Sequence, residues 1–339
     1  MQAHSRLRRL CVGLALALPL LASAQGTLQK VKFSVNPSQV IYLPLFLAVD
    51  KGYFRDAGLD VQVMPYKGSA NTQMPLLARG DVDISSVVAG PAMFNQLAEG
   101  FNIRLVAALT EPRQGYQDGV ALVVRKDLWD ANAIRTPADL KGRKVDGAAE
   151  GNPIDFLLRS TLASANLGKP DVTLSYKPRS PSDTPEILRQ KVVDVAGVSE
   201  PTATLIEREG IAVRWLSYKD VVPWYQETFL ATSETFLKER PDAVRRFLVA
   251  YLRAVNEIAG AKGSWTPELL ATAKKWTGMP EDLILKIGKL PYWDPSGAIR
   301  LDALERVQQF WAKAGLVKKP APIATVADQK PLALARENK

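Results

Sequence analysis

The chain has 339 residues, 44 Lys and Arg against 35 Asp and Glu, a net charge of +9, 47% hydrophobic residues, and one His and one Cys. Both single residues, His4 and Cys11, lie in an N-terminal stretch (1–24) that reads as a cleaved secretory signal. Arg6, Arg8 and Arg9 form its charged start, 10–21 its apolar stretch and Ala22-Ser23-Ala24 a small-x-small cleavage site. The mature chain then has neither imidazole nor thiol, which excludes a Ser-His-Asp triad, a Cys nucleophile, a disulfide and Cys/His zinc sites.

About 12 apolar residues are too few to span a bilayer core that needs roughly 20. Cys11 opens the apolar stretch instead of following it, so a lipid anchor is not expected, and a periplasmic location is. Cleavage removes three Arg and no acid, lowering the net charge from +9 to +6. The KGRK cluster at 141–144 is too short to argue for nucleic acid.

From residue 31 the pattern alternates short β-rich runs with helical stretches closed by Gly. Strands are expected at 31–35, 61–65, 84–88 and 103–109, with helices at 42–50, 71–79 and from Pro91 to Gly100. The order recurs: strands at 144–147, 172–176, 192–198 and 211–216, with helices at 153–167, 184–189 and from Pro201 to Gly210. Residues 77–87 (LARGDVDISSV) and 188–198 (LRQKVVDVAGV) share a helix end, a turn and a strand, placing Asp83 on Asp194. The expected fold is α/β with two doubly wound lobes. Lobe I is 25–115 plus 226–315, lobe II is 116–225, and runs at 120–124 and 228–231 are expected to link them.

After Pro241 the chain turns helical. Val244, Phe247, Leu248, Tyr251, Leu252 and Val255 form one apolar face, and further helices are expected at 267–275, 280–287 and 301–314. The Lys-, Pro- and Ala-rich residues 316–339 read as a surface tail.

Ligands of open parallel sheets bind beyond the carboxyl ends of the strands. Small or flexible residues mark these junctions: 36–39, 68–70, Ala89-Gly90-Pro91, Gly151-Asn152-Pro153 and Ser199-Glu200-Pro201. Glu200 is a carboxylate at a helix start, suited either to the helix dipole or to a ligand amine. Tyr42, Trp224 and Tyr225 offer stacking surfaces or core packing, and Arg113 and Tyr116 precede a lobe crossing.

Residues 43–61 (LPLFLAVDKGYFRDAGLDV) resemble the opening of periplasmic solute-binding proteins of ABC transporters, in the nitrate/sulfonate/taurine family with its thiamine-precursor-like branch. LLARGDVDISSVVAGP, ADLKGRKV, VVDVAGVSEP and RPDAVRRFLVAYLRA follow as further landmarks in the same order. The resemblance implies a type II periplasmic-binding-protein fold with a two-strand hinge, a small-molecule ligand, an ABC permease as partner, no cofactor and no metal. It also implies ligand contacts from Ser38, Gln39 and Tyr42, from Gly68 and Ser69, from Ala89 and Gly90, and from Asn152 and Glu200. Trp224 completes the candidate set as a stacking residue. The GAAEGNP segment departs from the phosphate-like form at that corner, favouring an amine-bearing or aromatic solute over a bare oxyanion.

The expected function is therefore the binding component of an importer, monomeric and non-enzymatic, closing around its solute. A ligand sensor and a Lys- or carboxylate-based exported enzyme are the alternatives. Fungal relatives that consume an active-site His are excluded by the His-free mature chain.

Overall fold

The computed structural model describes residues 27–176 and 181–337, so the expected signal, with His4 and Cys11, lies outside the described residues. Ten strands form two five-stranded sheets. The first contains β1 (Gln29–Val35), β2 (Leu59–Pro65), β3 (Ile84–Val88), β4 (Ile103–Ala108) and β10 (Thr228–Ser233), in the order β2-β1-β3-β10-β4. The second contains β5 (Val120–Arg125), β6 (Lys144–Asp146), β7 (Thr173–Ser175), β8 (Val195–Ser199) and β9 (Ala212–Ser217), in the order β7-β6-β8-β5-β9. With the helices packed on them, these sheets give two α/β lobes. Among the described residues no helix is long and apolar enough to cross a membrane.

The internal duplication has a physical counterpart in its two aspartates. Asp83 accepts a hydrogen bond from the Lys32 amide through Oδ2 (2.7 Å), while its own amide donates to the Lys32 carbonyl (3.0 Å). Asp194 repeats this on Lys144, at 3.0 Å and 2.7 Å. Each aspartate thus clamps a strand (β1 or β6) to the chain entering its parallel neighbour (β3 or β8). A carboxylate satisfying a backbone N–H at a sheet margin fixes register without needing a long strand.

The runs at 120–124 and 228–231 were expected to link the lobes. They are instead inserted strands within the sheets. β5 lies antiparallel between β8 and β9, and β10 antiparallel between β3 and β4. The lobe crossings are the segments ahead of them, 109–119 and 218–227. Both inserted strands are almost wholly buried, so their runs of Val, Leu, Phe and Ala reflect two covered faces. Each also shifts register after its third residue, at Leu122/Val123 and at Leu230/Ala231.

The helix Pro241–Gly260 forms as expected, with Pro in its first turn and Val244, Phe247, Leu248, Tyr251, Leu252 and Val255 buried. It packs on the helix Leu43–Asp50 and on the C-terminal helix Lys330–Glu337. That last contact corrects the surface-tail expectation for 316–339. Leu332 and Ala335 are buried, Val317, Ala321, Ile323 and Val326 join the core, and the Asp328 amide donates to the Leu105 carbonyl at 2.9 Å. Spaced single apolar residues among Lys and Pro hid this strap from a composition-based reading.

The clamps make a direct prediction. Asp83→Ala and Asp194→Ala should each lower unfolding free energy in urea by about 1.5–3 kcal/mol, the range for hydrogen bonds to charged groups. Asp194→Ala should lose more, because Asp194 is also paired with Arg125 at 3.2 Å. Asn at either position keeps an acceptor and should cost much less.

Candidate functional site

One cavity of about 130 Å³ lies at the carboxyl ends of β1 and β8, where the two crossings pass. Ser38 to Ile41 come from the turn after β1. Thr110 to Pro112 and Gln117 to Val120 come from the first crossing, and Ser199 to Pro201 from the end of β8. Tyr218 and Glu227 belong to the second crossing, and Trp265, Met279, Ile287, Lys289 and Pro291 to the helical C-terminal region. Both lobes and both crossings therefore share one wall.

The turn at Ser38 is held by Asn36, whose Oδ1 accepts from the Ser38 amide (3.2 Å) and hydroxyl (2.8 Å) and whose Nδ2 donates to the Gly68 carbonyl (3.4 Å). Across the cavity, Glu200 Oε2 accepts from the Thr204 amide (3.2 Å) and hydroxyl (2.8 Å), and its Oε1 lies 2.6 Å from the Arg214 guanidinium. Glu200 thus lines the cavity with its charge already matched by a helix start and an arginine.

Glu111 is matched in the same way, by Arg300 at 3.2 Å. Asp118 and Glu227 differ. Asp118 is 7% exposed and accepts from the Lys219 amide at 2.9 Å, and burial raises its carboxyl above the ordinary range. Burial pushes the Glu227 carboxyl up to about 7; the nearby Tyr218 hydroxyl opposes the shift and the charge of Asp118 adds to it. Among the described residues no group of three or more His, Cys, Asp or Glu is placed to hold a metal ion.

Of the ten candidate contacts, Ser38, Gln39 and Glu200 stand on this wall, and the other seven stand off it. Tyr42 is buried behind the wall, its hydroxyl 2.7 Å from Ser86 Oγ. Gly68 is tied to Asn36, and Ser69 precedes the short helix Ala70–Gln73. The Ala89 amide donates to the Glu227 carbonyl at 2.8 Å. At Gly90 the lobes meet directly: a Cβ there would lie 3.2 Å from the Gly151 carbonyl. Asn152 spends its side chain on the start of the helix Pro153–Ser164, accepting from the Asp155 amide at 2.7 Å.

Trp224 was expected to stack on a ligand. It stands off the cavity wall, edge-on to Phe156 and with the Arg306 guanidinium 5.3 Å from its ring centre. Tyr225 joins the same aromatic cluster with Phe156 and Tyr218. Arg113 stacks on Tyr292, and Tyr116 meets the same ring edge-on. The Gly90–Asn152 side of the cleft is thus closed by contact between the lobes, and the open space lies at the crossings.

Glu227, Asp118, Tyr218 and the 265–291 wall were missed because attention to strand-to-helix junctions passes over irregular crossings. A usable signal existed: Asp118 and Glu227 are carboxylates within two residues of the predominantly apolar runs at 120–124 and 228–231.

The raised Glu227 carboxyl fixes a sign. An unfolded chain releases this proton near pH 4.5, the folded protein near 7, so stability falls as pH rises through that window. At about 1.4 kcal/mol per unit, the fall reaches about 3 kcal/mol. Urea unfolding from pH 5 to 8 should show Glu227→Gln gaining on the native protein as pH rises. Parallel profiles would contradict a raised Glu227 carboxyl.

The chain is similar to a putative binding protein, YtlA, of Bacillus subtilis, with 26% identity over 258 residues covering 74% of this chain and 72% of that protein. The periplasmic aliphatic sulphonate binding protein SsuA from Escherichia coli has a similar structure, with a TM-score of 0.72, 18% identity, and coverage of 89% and 92%. The desulfurization enzyme DSZB also shares the fold, at TM-score 0.62, 18% identity, and coverage of 91% and 99%. A model of the family described as NMT1/THI5 like matches residues 39–261, and the chain belongs to that family.

Proposed function

We propose that the protein is the extracytoplasmic binding component of an ABC importer, capturing a small organic solute between its lobes and presenting the closed form to a permease. The observation that carries this reading is the composition of the cavity wall. Ser38 and Gln39 come from one lobe, Ser199 and Glu200 from the other, and Asp118 and Glu227 from the crossings that join them. A molecule held there contacts everything that moves when the lobes rotate, so its binding energy is available to bias closure.

Membership of the NMT1/THI5-like family and the SsuA-like fold support the same reading. Export to the periplasm fits the N-terminal residues 1–24, and the residues beyond Cys11 contain neither His nor Cys. With an enzyme also built on this fold, the decisive distinction is whether the bound compound leaves unchanged.

Thermal unfolding of the purified mature protein against a panel of amines, heteroaromatics, sulfonates and carboxylates tests the proposal. A true ligand at 100-fold over its Kd adds about 2.7 kcal/mol and raises the melting temperature by several degrees. The same ligand should reduce the radius of gyration in solution scattering and be recovered chemically intact. No stabilisation by any solute, or recovery of a converted product, contradicts the importer reading.

A further inference from the structure

We propose that the cavity selects a small organic cation, a protonated amine on an apolar body that carries a hydrogen-bond acceptor, and rejects oxyanions such as sulfonates. This assignment rests on the solute-binding reading and specifies its substrate class.

The charges on the wall are unequal. Four carboxylates, Glu111, Asp118, Glu200 and Glu227, face one cation, Lys289. Glu111 and Glu200 have their own arginines outside the wall, Arg300 at 3.2 Å and Arg214 at 2.6 Å. Asp118 and Glu227 are not ion-paired among the described residues; the charge of Asp118 helps to raise the Glu227 carboxyl, while Lys219, whose amide donates to Asp118, opposes the rise at Asp118. Lys289 is solvent-exposed, its Nζ 3.4 Å from Ser264 Oγ, so water screens it. An oxyanion entering here meets two acids that have no ion-pair partner, whereas an ammonium group supplies one.

The rest of the wall defines the remainder of the ligand. Ile41, Met279, Ile287 and Pro291 present apolar surface. Gln117 Nε2 and Trp265 Nε1 are buried donors with no hydrogen-bond partner among the described residues, and both residues line the cavity. A ligand acceptor satisfies them at little cost.

Ligand binding and Glu227 ionisation are then linked. Asp118, Tyr218, Tyr225 and Tyr42 act on Glu227 from the surrounding elements, and the wall adds Glu111, Glu200 and Lys289. All but Lys289 are acids or phenols, so the carboxyl is easily protonated when no cation is present.

Titration calorimetry with 3-(aminomethyl)pyridine, benzylamine and pyridine-3-sulfonate tests the assignment. The first should bind most tightly, benzylamine less tightly for want of the acceptor, and the sulfonate not at all. Affinity for the first should fall roughly tenfold from pH 8 to pH 6 as Glu227 takes up its proton. Glu227→Gln should weaken it at least tenfold, while Lys289→Met, which removes a like charge from the wall, should not weaken it. A melting temperature for each variant within a few degrees of the native protein shows that both fold. Binding of the sulfonate with loss in Lys289→Met, or binding confined to anionic or neutral solutes of the wider panel, overturns the cation assignment and leaves the importer reading standing. Silence across the whole panel overturns both.

Discussion

The chain crosses between its lobes twice, and each crossing ends in an antiparallel strand buried inside a sheet. β5 enters the second sheet after leaving the first, and β10 enters the first after leaving the second. Neither crossing can slide without unthreading a central strand and exposing apolar surface and ladder hydrogen bonds together. The cavity lies between these two fixed points. Asp118 stands two residues ahead of β5 and Glu227 immediately ahead of β10, so the two unpaired acids occupy the roots of the inserted strands. The strands hold in place the charges that water would otherwise draw out.

That placement ties stability to function. An acid drawn out of water destabilises the fold whenever it is ionised, and on the proposed reading a positively charged ligand would relieve that penalty at the crossings. The rest of the interface works the other way. The Gly90–Gly151 approach and the Phe156 cluster with Phe310 and Trp311 already hold the lobes together. Contacts between the lobes are gathered on one side of the cleft and the open cavity lies on the other.

The fold was largely legible in the sequence because it is written in local signals: apolar runs of strand length, helices stopped by Gly, and the repeated V-D-hydrophobic turn at Asp83 and Asp194. The C-terminal strap was not, because Leu332 and Ala335 acquire meaning only against the helix Pro241–Gly260, far back in the chain. The site was legible in part. Ser38, Gln39 and Glu200 lie at strand ends, which pattern identifies. Tyr42, Gly90, Asn152 and Trp224 share those signals yet stand off the cavity wall, because a strand-end position does not say which junctions the opposite lobe covers. Asp118 and Glu227 carry no motif, and only the return of β10 into the first sheet brings them to one wall.

The central claim is that a ligand amine takes the place of a missing cation between Asp118 and Glu227. A crystal structure of the complex with 3-(aminomethyl)pyridine tests it most directly. The account predicts the ammonium nitrogen within about 3.2 Å of a Glu227 or Asp118 carboxylate oxygen, with the ring against Ile41 and Trp265. A ligand seated between Gly90 and Asn152, or one oriented with its amine toward Lys289 and away from both acids, would contradict it.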